Sequence, residues 1–68
     1  MTAISKVKQT LATLKGAEAT LQMYSLQEQN KKSKDIYKNA AKEINEIKID
    51  LEKRVSAMEF EEPQYKGN

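Results

Sequence analysis

The chain has no cysteine and no histidine, and only one proline and two glycines among its 68 residues. Without cysteine no disulfide can staple the fold and no thiolate can hold a metal. Without histidine the commonest general base and the commonest metal ligand are both missing. Two isolated glycines make no glycine-rich loop to cradle a phosphate. No apolar run approaches the roughly 20 residues needed to cross a bilayer. Met1 to Gln9 carries lysines but no apolar segment or cleavage site after them, so no signal peptide is expected. Lack of cysteine fits the cytoplasm, which is the expected location. A domain this small sits near the size at which a single core barely suffices. With staples excluded, a partner subunit is the remaining source of buried surface.

Charge is balanced overall, at +2, but unevenly spread. Six lysines face only Glu18 and Glu28 between Met1 and Lys34, whereas six basic residues face eight acidic ones from Asp35 onward. Two segments of opposite sign suit two helices lying side by side, although exposed pairs contribute only ~0–1 kcal/mol each. So small a positive total does not point to nucleic acid.

What the sequence does contain is helical periodicity. From Ser33 to Glu62, apolar residues recur at Tyr37, Ala40, Ile44, Ile47, Leu51, Val55 and Met58, in steps of three and four that draw one stripe along a helix. Upstream, Thr2 is placed to cap a first helix, and Ile4, Val7, Leu11, Leu14 and Leu21 follow a heptad-like seam, interrupted by Glu18 and Ser25. Gly16 inside that helix costs ~1 kcal/mol relative to alanine. Ala12, Gly16, Ala19 and Met23 share a second face, where small side chains would admit another backbone. Ile49 and Phe60 point away from the main stripe, either as ordinary surface residues or as part of that second contact face.

Between the stripes, Gln27 to Ser33 is polar throughout. Asn30 is a good N-cap for the next helix, and Ser33 a second choice one turn later. The expected organisation is therefore all-α: a helix over about 3–29, a turn at 30–32 and a helix over about 33–61, within a hairpin spanning 1–62. Pro63 ends the second helix, and 63–68 reads as a flexible tail. A short connection between long helices folds them back antiparallel. One seam leaves the flanks of both stripes wet, so two hairpins are expected to pair as a homodimeric four-helix bundle.

Chemistry is sparse. Glu18 falls inside the apolar stripe, where a carboxylate is costly unless paired. It suits either a metal site of the ferritin-like kind or a partner across the seam: a lysine, Ser25, Tyr24 or Tyr37. It also suits a role in fixing register. The ferritin-like site needs Glu-x-x-His on partner helices, and this chain lacks histidine. No nucleophile has a recognisable base, so neither an enzyme nor a cofactor is expected. Lys31, Lys32, Lys34 and Lys38 cluster at the turn, where they are either solvated or a contact for an acidic partner, RNA or an anionic membrane surface. Tyr24 and Tyr37 flank that turn and are expected to pack together. The charged faces mix lysine with acidic residues, unlike the basic faces of interfacial membrane helices.

Two terminal runs, Lys6-Val7-Lys8-Gln9-Thr10-Leu11-Ala12-Thr13-Leu14-Lys15-Gly16 and Glu61-Glu62-Pro63-Gln64-Tyr65-Lys66-Gly67, resemble a small family from spore-forming bacteria. It is the family labelled domain of unknown function 1657. The likeness extends through Tyr37-Lys38-Asn39-Ala40-Ala41 and Asp50-Leu51-Glu52-Lys53-Arg54-Val55. It implies a sporulation-related role without a known reaction, since family genes tend to lie near those for spore germination and heat resistance. Attachment of the same domain to a spore membrane protein implies docking on a membrane-protein complex as a further expectation. The turn departs from the resemblance, with Asn30-Lys31-Lys32 where acidic residues are expected.

Overall fold

A computed structural model describes residues 3–61 as two helices, α1 (Ala3–Gln27) and α2 (Lys31–Glu61), packed antiparallel. Thr2, the expected cap of α1, and the segment 62–68 with Pro63 lie outside the described residues.

Local chemistry explains the reversal. Asn30 is the N-cap of α2: its Oδ1 accepts from the Ser33 N–H at 3.0 Å and its carbonyl accepts from the Lys34 N–H at 2.9 Å. The Asn30 N–H in turn donates to Glu28 Oε1 at 3.0 Å. These bonds occupy amide groups that a helix start leaves unpaired. The connection has the expected three residues but sits two positions earlier: α1 stops two residues before Gln29 and α2 starts two residues before Ser33. Ser33 serves as the donor in the cap rather than as the cap itself. Lys31 opposes the helix dipole, but it pairs with Asp35 at 3.1 Å, one turn on. Asn30→Ala is expected to lower stability by about 1 kcal/mol, read as a shift in the urea midpoint with an unchanged slope.

The seam between the helices follows a strict seven-residue repeat in two parallel lines. The first line holds Ile4, Leu11, Glu18 and Ser25 on α1, against Lys34, Ala41, Lys48 and Val55 on α2. All the buried residues among those described lie on it: Ile4 (0% exposed), Leu11, Ser25, Ala41 and Val55. The second line holds Val7, Leu14 and Leu21 against Tyr37, Ile44, Leu51 and Met58, and each of these is only half-buried. Apolar packing concentrates at the open end, where Val7, Leu51 and Met58 close on Ile4, Leu11 and Val55. At the turn end the first line becomes small and polar, and Ser25 Oγ donates to the Lys34 carbonyl at 3.3 Å. Tyr24 and Tyr37 meet edge-on beside the turn, ring centroids 5.7 Å apart.

Candidate functional site

The middle of the seam is ionic. Lys48 Nζ donates to Glu18 Oε1 at 2.8 Å, and the two side chains are only 18% and 15% exposed. Glu18 thus takes the cross-seam lysine among the partners its position allows. At this depth each charge needs the other, since an unpaired ion in partial burial is costly. Lys8–Glu59 at 3.6 Å is a second cross-helix pair, nearer the rim. Asp50 and Arg54 pair along α2 at 3.0 Å, where both are largely exposed and the contribution is small. Among the described residues no group of three carboxylates lies close enough to hold a metal ion.

The Glu18–Lys48 pair changes the phase of the α2 stripe. Ile47 and Lys48 both continue the spacing from Ile44 to Leu51, by steps of three and four in either order. Lys48 occupies the seam because its partner waits on α1, and Ile47 is turned out, 53% exposed. In the same way Ala41 rather than Ala40 is buried. Ile4, Val7, Leu11, Leu14, Leu21, Tyr37, Ile44, Leu51, Val55 and Met58 all lie on the seam. A lysine at a seam position carries no apolar signal, so periodicity alone passes over it; a glutamate in the facing stripe is the signal that finds it.

The two broad sides of the hairpin differ. A groove beside Ser25 and Ala41 is walled by Gln22, Leu26, Lys38, Lys42 and Asn45, which puts the first seam line on a polar side. The second line therefore opens on the opposite side. At about 100° per residue, Ala17 and Tyr24 on α1 and Ile36, Ala40 and Ile47 on α2 fall on the outer flanks of that line. The result is a face that is apolar through its middle, with Thr10, Ser33 and Arg54 in the same flanking rows toward its ends. Ile36, Ile47 and Tyr24 are among its exposed side chains.

The other sequence candidates lie elsewhere. Ala12, Gly16, Ala19 and Met23 line the solvent side of α1, and a β-carbon at Gly16 would meet nothing within 4 Å beyond its chain neighbours and its own helix backbone. Within the hairpin, then, Gly16 serves no close approach. Gly16→Ala is expected to raise the stability of the hairpin by about 1 kcal/mol, checked by thermal melting. Ile49 and Phe60 are exposed on α2, apart from the apolar face. Of the turn lysines, Lys31 is tied to Asp35, Lys32 is exposed, Lys34 is half-buried on the first seam line, and Lys38 lines the groove.

A family model described as "Protein of unknown function (DUF1657)" matches residues 7–55. The chain belongs to that family. The match takes in the ionic pair, the turn and most of both seam lines. No curated protein and no solved structure matches this chain. Among the described residues, no helix is long and apolar enough to cross a membrane.

Proposed function

We propose that this DUF1657 chain is a non-enzymatic interaction module acting through helix–helix contacts, and that its first partner is a second copy of itself. The observation that carries the reading is the one-sided exposure of the second seam line. Val7, Leu14, Leu21, Ile44, Leu51 and Met58 are aligned and half-buried, and Ile36 and Ile47 extend the surface outward. Two such faces stacked together complete a four-helix bundle with the apolar lines inside. The Cα extents are 49 × 17 × 12 Å, so the broad side offers on the order of 800 Å2, the usual contribution of one partner to a stable interface. Burying the face also provides the core that two helices alone lack.

The resemblance to a family of spore-forming bacteria sets the proposed context as sporulation, with a spore membrane-protein complex as the further partner. Sedimentation equilibrium at micromolar concentrations tests the first step. A particle of twice the 7.8 kDa chain mass is expected, and a monomer at tens of micromolar would refute it. A second reading, contact with nucleic acid or an anionic surface, is favoured by Lys32, Lys34 and Lys38, none of which has a carboxylate within 4 Å among the described residues. That mode loses affinity steeply with added salt, whereas apolar helix contacts do not.

A further inference from the structure

The polar side of the hairpin carries the groove between Ser25 and Ala41, and it is independent of the apolar face. It exists because the first seam line runs out of large side chains near the turn. Ser25 and Ala41 are both buried there, and both are too small to fill the space above them. Gln22 and Leu26 form one wall, Lys38, Lys42 and Asn45 the other, around a volume of about 470 Å3. That volume lies within the range of small-molecule sites, roughly 300–1,000 Å3.

Charge is the second observation. Lys38 and Lys42 stand one helical turn apart on the same wall, an arrangement in which like charges repel. Neither has a carboxylate within 4 Å among the described residues. The acidic residue at the groove, Glu18, is already neutralised by Lys48. Of the charged groups lining the groove, Lys38 and Lys42 are thus the two that no carboxylate has already paired. Gln22 and Asn45 add amide groups at the rim, while Ala41 and Leu26 supply apolar surface. A bare oxyanion is far smaller than this space, so the groove calls for one attached to a body that covers the apolar part. The geometry points to a binding site for a small organic anion, a phosphate or carboxylate group on a compact apolar body, held by Lys38 and Lys42.

Phenyl phosphate titrated into the full chain labelled with 15N, at low ionic strength, tests this. The expected result is saturable shifts centred on the amides of Gln22, Ser25, Leu26, Ala41 and Lys42. The K38Q/K42Q double variant should weaken the apparent affinity about tenfold or more. The K6Q/K53Q variant removes the same charge away from the groove and should leave affinity unchanged. Equal weakening in both variants would reduce the effect to diffuse charge and overturn the site. So would shifts that never saturate or that centre elsewhere. Inorganic phosphate binding as tightly as phenyl phosphate would overturn the role of the apolar floor. Vesicles of phosphatidylglycerol provide the remaining arm: attachment to them without saturable phenyl phosphate binding would mean attraction to a charged membrane and no groove site.

Discussion

Replacing Ile47 with glutamate is expected to leave the hairpin folded and to take the proposed dimer apart. The residue is more than half exposed in the hairpin and makes no part of its seam, so the monomer should change by no more than about 0.5 kcal/mol. In the proposed bundle the same side chain lies against the second copy. A two-fold interface contains each position twice, so both the lost apolar burial and the buried carboxylate count double. Together they amount to roughly 3–6 kcal/mol, which corresponds to a dissociation constant raised by about a hundredfold to ten-thousandfold. Sedimentation should show monomer where the unaltered chain is dimeric, with helical circular dichroism retained at concentrations that keep the hairpin folded. An unchanged dimer would place the interface on another face. Ile49→Glu, on the opposite flank of α2, is the matched control and should leave the dimer intact.

The second large effect concerns the ion pair. Glu18→Ala leaves the partly buried Lys48 ammonium without its carboxylate, and the cost should be about 2 kcal/mol, below the ~3–5 kcal/mol of a fully buried pair because both side chains retain some exposure. A chain of this size has only about 3–10 kcal/mol in total, so the loss is a large fraction of it. The double substitution Glu18→Leu with Lys48→Leu should act in the opposite direction, raising stability by about 1–4 kcal/mol. It should also remove the one directional contact in the middle of the seam. Without it, neighbouring heptad registers and other bundle orders become comparable in energy. The expected outcome is a more stable protein that sediments as a mixture. A double-leucine variant with one sharp species would show that apolar packing alone fixes the alignment.

These two residues also mark where the sequence stops being legible. The helices, their antiparallel arrangement and the α1 seam follow from three–four spacing and a polar break, because burial along one stripe is what that spacing encodes. The phase of α2 is different. Ile44 to Leu51 is bridged equally well by Ile47 or Lys48, and hydrophobicity alone selects the isoleucine. The choice is made by Glu18, thirty residues away in sequence and in hydrogen-bond contact in space. Ala40 and Ala41 are chemically identical, so only the completed packing distinguishes them. The polar break locates the turn, but its limits depend on Asn30 receiving the Ser33 amide. The groove is not visible in the chain at all, since it is a hollow left by Ser25 and Ala41 meeting across the helices.

The placement of the apolar cluster has a consequence for how the molecule opens. Ile4, Leu11, Val55 and Met58 are packed at the end farthest from the turn, so the strongest contacts join residues separated by roughly fifty positions, at a closure entropy that grows only as the logarithm of loop length. A hairpin that zips from its turn meets first the single Tyr24–Tyr37 edge contact and the small or polar groups of Ser25 and Ala41, which together stabilise less than the apolar cluster at the far end. The main gain arrives only when the two ends of the segment come together. A half-closed hairpin is thus no resting place, and the ends of the segment act as its clasp, so fraying there is the beginning of global unfolding and not a local event.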